Sequence, residues 1–489
     1  MGLLAVYVAF GQCAYPVPTG DSMCHMPVAV GYAKSGELTN PLWDFAVRYD
    51  QANKARFLQY PPLFHMVTGL LALHATPHEA LMVVAAMNVV SLGLGFWLFL
   101  LAARSGRDLN WFSFALVAAG LFGISTHLSF HGAGRPEALA TPFILVGAIG
   151  ALRMRSIPLW PFLGAVLGLV GATQPAGGII LFLIISLFYF ATTEAKGAFF
   201  TLAAVGALGI AVFLGAVSLS PHNLRDTIAG IQYHASHVLP SAGPASLWNI
   251  LPYGFWHFWF FCPNTTFYGL IGAIALAAGL HLWWTNRVRI RAPLLFAVAG
   301  VLLLSAVWYF GIRWSNRNYC VIMFFPLLYA GIIYYVVVLG KAQRGWLLCL
   351  GRYVCLLSLM LSSVGFLRAG ILFPYFLRAG VGLDESKAMF NRFVVAHPGR
   401  TGITCGLWLL PENYAGIWFW EGIPGRQEED AAGSTMVIQQ NDSSRTTPPD
   451  VKGHVLVYNS FVCDAPRILG MRLASSVPGY GMAIYLPQR

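Results

Sequence analysis

Long apolar runs separated by short polar gaps fill most of positions 1–366. An α-helix needs about 20 mainly apolar residues to cross a bilayer, so these runs predict about 11 transmembrane helices. The predicted spans are 2–17, 80–103, 111–128, 137–152, 158–173, 176–191, 198–219, 267–285, 292–310, 319–340 and 346–366. The pattern therefore predicts an all-α polytopic membrane bundle over residues 1–366.

Lys and Arg fall in every second gap between these spans. The basic gaps are RSGRD (104–108), RMRS (153–156), TTEAKG (192–197), TNRVRIR (285–291) and GKAQRG (340–345). Loops rich in Lys and Arg stay on the cytoplasmic side, so the alternation predicts a cytoplasmic N-terminus. It places the following parts outside: 18–79, 129–136, 220–266, 311–318 and everything after 367.

The apolar segment 60–75, YPPLFHMVTGLLALHA, is too short to cross a membrane comfortably, and prolines stand near its start. We predict an interfacial or re-entrant helix on the external face. A short tilted span is the alternative, but it would reverse every later gap and place the basic gaps outside. Residues 18–79 are therefore predicted to form a large first external loop.

The composition changes after Phe366, where charged residues, Gly, Pro and Ser become frequent again. The apolar runs 402–410, 450–459 and 481–487 are typical of strands, and 384–397 is typical of an amphipathic helix. The polar stretch 427–450 predicts a long surface loop. Residues 367–489 are therefore predicted to form a soluble, external α/β domain.

Composition and charge exclude two other classes. Hydrophobic residues make up 57% of the chain and charged residues only 10%, which is not the composition of a soluble enzyme. The net charge of +11 would fit a nucleic-acid partner, but most basic residues stand at the ends of predicted spans. Cytoplasmic retention of basic loops explains them, so we expect no nucleic acid as a partner.

The eight cysteines show no C-x-x-C spacing, so no zinc site is predicted. Cys405 and Cys463 lie near two predicted strands, and Cys13 and Cys24 lie near the external end of the first span. Each pair is placed where a disulfide is possible, and free buried thiols are the equal alternative.

Two stretches carry a family resemblance. The first external loop contains PTGDSMCHMPVAVGYAKSGELTNPLWDFAVRYD and then RFLQYPPLFHMVTG, and a second stretch is HGAGRPEALATPFILVGAIGAL (131–152). Their order, with an R-P-[DE]-x-[LA] motif at the start of a helix, resembles the membrane glycosyltransferases of the C-type fold (GT-C). The relatives in question are the protein O-mannosyltransferases and the lipid A aminoarabinose transferase. The resemblance covers the first 155 residues and beyond them rests on topology.

The resemblance implies the roles of two acids. Asp21 matches the catalytic carboxylate of that family, although Ser22 stands where many members have a second acid. Asp21 would take the proton of the incoming hydroxyl, and Glu137 would orient the acceptor or the sugar. The alternatives are structural: a helix cap or loop acid for Asp21, and a first-turn acid favoured by the helix dipole for Glu137.

Transfer from a polyprenyl-phosphate sugar also needs external cations for the departing phosphate. Arg313 and Arg317, in GIRWSNRNY, are the best candidates because guanidinium groups bind phosphate in a bidentate way. Arg135 and Arg56 are weaker candidates, and snorkelling at helix ends is the alternative for all of them. The external histidines, including His131 as a candidate sugar ligand, are predicted to have structural or sugar-binding roles; no metal is predicted, although a divalent ion stays open.

These observations predict an integral membrane glycosyltransferase of the GT-C fold, acting without a cofactor on the external face of the cytoplasmic membrane. Its partners would be a polyprenyl-phosphate sugar donor, membrane lipids and a lipid, glycan or protein acceptor. A secondary transporter is the first alternative, although the spans hold few acids and no repeat is visible. A non-catalytic component of a cell-envelope assembly is the second, and it would not need Asp21.

Overall fold

The computed structural model describes the chain in separate parts. The described residues are 2–13, 20–39, 60–104, 111–130, 134–153, 158–192, 195–221, 224–229, 323–334, 337, 383–393, 401–403, 409–411, 417–419, 455–459, 467–468, 471–477 and 482–487. They belong to two compact units. The first unit contains Met1–Ala9, Leu58–Phe64 and Val84–Leu372, and the second contains Phe10–Phe57, His65–Val83 and Phe373–Arg489.

The described part of the chain is mostly helical. Its helices are α1 (Gly2–Cys13), α2 (Gly20–Ser35), α3 (Leu63–Leu71), α4 (Pro77–Arg104), α5 (Trp111–Phe130), α6 (Glu137–Arg153), α7 (Leu159–Thr173), α8 (Pro175–Thr192), α9 (Ala195–Ser218) and α10 (Phe325–Tyr334). Helices α1 and α4 to α10 fall on predicted spans. The predicted spans 267–285, 292–310 and 346–366 lie outside the described residues, as does the 427–450 loop.

Two of the described helices are long and apolar enough to cross a membrane, α4 and, within α9, Lys196–Ser218. By contrast, α3 has 9 residues. At 1.5 Å per residue it is about 14 Å long, less than half of the hydrocarbon thickness of a bilayer. The segment 60–75 therefore does contain a short helix, and its interfacial or re-entrant position on the external face stays a prediction.

Helix α4 begins with strong local signals. The Thr76 hydroxyl accepts a hydrogen bond from the backbone N–H of Glu79 (3.2 Å), and Pro77 occupies the first helical position. The Glu79 carboxylate in turn accepts a hydrogen bond from the backbone N–H of His74 (2.7 Å). The first bond satisfies a donor that a helix start otherwise leaves unpaired, the second holds the preceding turn, and the acid complements the positive end of the helix.

Helices α6 to α9 alternate in direction. Gly147 and Gly150 of α6 approach Val166 and Phe162 of α7, so residue numbers rise on one helix as they fall on the other. Helices α7 and α9 run parallel, because Gly164 faces Leu208 and Gly168 faces Val212. Glycines let these backbones approach closely: a Cβ at Gly168 would lie 2.5 Å from the Gly209 carbonyl oxygen.

The core of the first unit joins α4, α5 and α10. Phe99 and Tyr329 are fully buried, with ring centroids 5.3 Å apart. A Cβ at Gly120 of α5 would clash with both rings, so the glycine makes room for the aromatic pair. Large apolar side chains are meanwhile exposed on α9, among them Phe199, Phe200 and Ile210. These exposed apolar side chains are expected of a helix that faces lipid.

The C-terminal part of the second unit contains a mixed six-stranded sheet. Its strands are β1 (Thr401–Ile403), β2 (Ile417–Phe419), β3 (Val455–Asn459), β4 (Arg467–Ile468), β5 (Met471–Val477) and β6 (Met482–Pro487), in the order β2-β1-β3-β6-β5-β4. The β1–β2 and β1–β3 pairs are parallel, and the others are antiparallel. Strands β3 and β6 lie within two of the predicted runs, whereas β1 overlaps the predicted 402–410 only at residues 402–403, and residues 409–410 are not in a strand.

A helix also covers 383–393, close to the predicted 384–397. It contacts the sheet, because the Ser475 hydroxyl lies 3.1 Å from the Met389 sulfur. The two predicted cysteine pairs are not tested: Cys405 and Cys463 lie outside the described residues, and the described parts of α1 and α2 do not include the side chains of Cys13 and Cys24.

Candidate functional site

A turn at Gly134–Pro136 leads the chain into α6. Gly134 has a φ of +72°, which only glycine adopts at little cost. The carbonyl groups of Arg135 and Pro136 then accept the first bonds of the helix, from Ala138 N and Ala140 N. Arg135 therefore stands just before the helix, while Glu137 is its first residue.

This turn brings Arg135 and Glu137 together. Two residues two positions apart on a helix point in different directions, but Arg135 lies outside the helix and can fold back. Its Nε donates to Glu137 Oε2 at 3.1 Å, and its Nη2 donates to Glu137 Oε1 at 3.4 Å. Both side chains are buried, with exposed fractions of 6% and 7%. They form a two-point ion pair within a largely apolar unit.

Gln174 completes the cluster from another part of the chain. Its Nε2 donates to Glu137 Oε1 at 3.2 Å, and the residue is 7% exposed. Gln174 is the single residue between α7 and α8, with φ −146° and ψ 101°. The extended backbone is expected, since the following Pro175 disfavours the helical conformation in the residue before it. We call Arg135, Glu137 and Gln174 the polar cluster.

The polar cluster joins the ends of two helices. The 3.2 Å contact between Gln174 and Glu137 joins the start of α6 to the end of α7. These two ends lie together because α6 and α7 are antiparallel, and the external side of 129–136 stays a prediction.

The cluster fixes a carboxylate and a guanidinium relative to each other. The Glu137 carboxylate accepts hydrogen bonds from two donors on Arg135 and from one on Gln174. The carboxylate is therefore placed to hold and orient the Arg135 guanidinium.

A second polar group lies between α2 and α3 in the second unit. His25 Nδ1 and His65 Nε2 are 3.0 Å apart, and both residues are almost fully buried. Their rings stack with centroids 5.2 Å apart. One turn further on, Gly69 lies so close to α2 that a Cβ would be 2.6 Å from the Ala29 carbonyl oxygen. The order of these contacts shows that α2 and α3 run parallel.

Asp21 is the second residue of α2, one turn before His25. This position fits the structural alternative of an acid at a helix start as well as the catalytic one. The described residues do not include the Asp21 side chain. Helix α2 ends at Ser35, where Gly36, with φ +73°, donates its N–H to the Tyr32 carbonyl (2.8 Å). The helix therefore ends immediately before the G-E-L-T-N-P motif.

Four predicted site residues lie outside the described part of the chain: Arg56, His131, Arg313 and Arg317. Sequence reasoning missed Gln174, and it also missed that His25 and His65 pair. Among the described residues, no group of three or more His, Cys, Asp and Glu side chains could hold a metal ion.

Comparison of the chain with protein-family models, curated proteins and solved structures found no match.

Proposed function

We propose that the chain is an integral membrane glycosyltransferase of the GT-C type. In this proposal about 11 transmembrane helices carry an external, soluble α/β domain at 367–489. The enzyme transfers a sugar from a polyprenyl-phosphate donor to a lipid, glycan or protein acceptor. The reaction takes place on the external face of the cytoplasmic membrane.

The observation that carries the proposal is the buried Arg135–Glu137 ion pair, held by Gln174 where apolar helices end. A buried ion pair is a poor means of stabilising a fold, since well-packed apolar residues of similar size are often as stable. Ionisable groups among membrane helices are costly and usually mark functional sites. The R-P-E motif that supplies this pair is also the second element of the GT-C resemblance.

The chemistry assigns each group one task. Asp21 takes the proton as the acceptor oxygen attacks the anomeric carbon, and the bond from that carbon to the phosphate oxygen breaks. The polyprenyl phosphate leaves as an anion, which Arg313 and Arg317 stabilise. Arg56, Arg135 and His131 are proposed as further contacts to the donor. Glu137 acts through Arg135, which it orients.

The test is donor consumption by purified protein in lipid nanodiscs. Undecaprenyl phosphate linked to radiolabelled hexoses or pentoses is supplied with lipid, glycan and peptide acceptors, and released undecaprenyl phosphate is measured. Asp21→Asn should lower the rate on the order of 100- to 10,000-fold, because it removes the base and keeps the shape. The matched control is Glu37→Gln, an exposed acid just after the same helix, which should not change the rate.

Two results would count against the proposal. A wild-type protein that leaves every donor intact would fit a transporter or an assembly component instead. Activity of Asp21→Asn within a few-fold of wild type would remove Asp21 from the mechanism and leave only its structural role at the start of α2.

A further inference from the structure

We infer that Leu70, Leu71 and Leu73 form a membrane-inserted tip, an apolar turn that enters the boundary between headgroups and acyl chains where α4 begins. The inference goes beyond the proposed function, on which it rests for one point only, that α4 crosses a membrane. It does not depend on the sugar, the donor or the acceptor. We call these three residues the leucine tip.

The leucine tip is exposed, whereas the part of α3 that precedes it is buried. The exposed fractions of Leu70, Leu71 and Leu73 are 65%, 56% and 83%. Met66 and Thr68, earlier in α3, are buried. A single exposed leucine is ordinary, but three leucines within one turn form an apolar patch, and such patches mark contacts with membranes or other partners.

The exposed side of α4 favours lipid as that partner. It is one apolar stripe that consists of Met82, Ala86, Val90, Gly93 and Trp97. Spacings of three and four residues place these positions on one face of the helix, over about four turns. No charged residue stands between the Glu at the start of α4 and the Arg at its end. In a helix that crosses a membrane, such a stripe faces the acyl chains.

The turn between α3 and α4 holds the leucine tip near the end of α4 at which this stripe begins. The N–H of His74, next to Leu73, donates to the carboxylate of Glu79 in the first turn of α4 (2.7 Å). Glu79 precedes Met82, the first residue of the stripe, by about one helical turn. The leucine tip and the lipid-facing stripe are therefore continuous parts of one apolar surface.

The same turn contains a strained residue. Ala75 has a φ of +54°, in the left-handed region that residues with a Cβ rarely adopt. Its N–H donates to the Ala72 carbonyl (3.0 Å), which fixes the turn. Strained backbone persists only where the surrounding structure imposes it, and it is common at functional sites. The position of the leucine tip is therefore imposed by the fold.

Insertion of the tip has a clear physical basis. A helix that crosses a membrane passes from headgroups into acyl chains near its first turn, so residues held beside that turn lie at the boundary. Burial of leucine side chains there is favourable, and the sequence of α3, LFHMVTGLL, contains no Asp, Glu, Lys or Arg that would oppose it.

The tip also affects the part of the chain that contains Asp21. Gly69, just before the tip, lies so close to α2 that a Cβ would be 2.6 Å from the Ala29 carbonyl oxygen. A tip in the membrane boundary would therefore hold α2 close to the membrane surface. In the proposed function, the phosphate of the donor lies at that surface.

The experiment uses the full-length protein in nanodiscs of phosphatidylethanolamine and phosphatidylglycerol. A fluorescent amino acid, dansylalanine, replaces one residue at a time: Leu70, Leu71 or Leu73 of the tip, Val90 in the middle of α4, or the exposed Arg472 of β5. Spin-labelled lipids carry a nitroxide either near the headgroup or near the end of the acyl chain, and each nitroxide quenches fluorophores at its own depth.

The three kinds of position should respond differently. The tip positions should show blue-shifted emission and be quenched most by the nitroxide near the headgroup. Position 90 should be quenched most by the nitroxide near the end of the acyl chain. Position 472 should show the emission of a fluorophore in water, with no quenching by either lipid.

A pair of substitutions tests whether the leucines themselves hold the tip in the bilayer. In the protein labelled at position 70, Leu71→Asp combined with Leu73→Asp should cause a red shift and a loss of quenching, because the carboxylates stay in water. Leu473→Asp, the same change at an exposed leucine of β5, is the matched control and should leave position 70 unchanged. Unchanged quenching at position 90 would show that the double variant is folded.

The outcomes separate the inference from the proposed function. If position 90 is not quenched by the deep nitroxide, α4 does not cross the membrane and both are wrong. If position 90 is quenched but the tip shows emission as in water, or blue-shifted emission without quenching because protein covers it, only the leucine tip is wrong.

Two other results would also overturn the leucine tip. Stronger quenching of the tip by the deep nitroxide would indicate a short span in place of an inserted turn. Loss of quenching at the tip when undecaprenyl phosphate is added would assign this surface to the polyprenyl chain of the donor and not to bulk lipid.

Discussion

Replacement of Glu137 by glutamine distinguishes two explanations of this acid. In the first, Glu137 is an ordinary first-turn acid that benefits from the helix dipole. In the second, it is the partner of a buried charge, as its contacts with Arg135 indicate. Both explanations predict a loss of stability in Glu137→Gln, and only the size of the loss tells them apart.

The two explanations predict different losses in the free energy of unfolding. A favourable acid in the first turn contributes about 0.3 to 1 kcal/mol. Two unit charges 3.1 Å apart attract each other by about 5 kcal/mol at an effective dielectric constant of 20. Desolvation of both ions offsets most of this gain, so the net value of the pair is small. Removing one partner of a buried ion pair, however, typically costs about 3 to 5 kcal/mol.

The assay is hydrogen exchange of backbone amides in peptides from α6, measured on the whole protein in micelles. Because tenfold corresponds to about 1.4 kcal/mol, amides that exchange when α6 opens should exchange roughly 100-fold faster or more in Glu137→Gln. Glu79→Gln is the matched control, since Glu79 also occupies a first helical turn but accepts its bond from a backbone N–H. It should accelerate exchange in α4 less than about tenfold.

A double variant tests whether the buried ion pair causes the loss of stability. Arg135→Gln combined with Glu137→Gln removes both charges, so it should be more stable than the sum of the single losses by about 2 kcal/mol or more. A loss below about 1 kcal/mol in Glu137→Gln, or additive single losses, would refute the buried ion pair and restore the dipole explanation.

Two further predictions concern the fold. Gly168→Ala should destabilise the contact between α7 and α9 by about 1 to 3 kcal/mol, because its Cβ would lie 2.5 Å from Gly209 O. Gly93→Ala has open space around it, so it should stabilise α4 by up to about 1 kcal/mol through its higher helix propensity. Hydrogen exchange of backbone amides in peptides from α7 and α4 would measure the two changes in stability. If both variants were stabilised or both destabilised, the close packing at Gly168 would be contradicted. Externally added thiol reagent should label single cysteines placed at 220–266 or 427–450 but not at 288, and labelling at 288 would reverse the predicted orientation.

The sequence predicted the helices well because their signal is local. An apolar run of adequate length, bounded by charged or turn-forming residues, gave positions close to those of α4 to α9. The start of α4 also has a local signal in Thr76 and Pro77, although the predicted span began only at residue 80. In the second unit, β5 was missed because MRLASSV lacks alternation and contains a register shift between Leu473 and Ser475.

The candidate site was predictable in part. Arg135 and Glu137 could be singled out because charges are rare in this chain and the R-P-E motif precedes an apolar run. Gln174 could not, since a neutral amide carries no charge signal and lies 37 residues away from the carboxylate that it contacts. Only the antiparallel packing of α6 and α7 brings them together. A rare charged residue can therefore be identified from the sequence, whereas the residues that contact it can be identified only from the fold.

The histidine pair lies in the part of the chain that contains Asp21. His25 and His65 are 40 residues apart in sequence, and nothing in their spacing predicts contact. They meet because α2 and α3 run parallel, with Gly69 allowing the backbones to approach. Asp21 precedes His25 by one helical turn, so the packing that brings the two histidines together also holds the helix that carries Asp21. A change at Gly69 should therefore disturb the Asp21 region from a distance, whereas the exposed Glu37 offers no such connection.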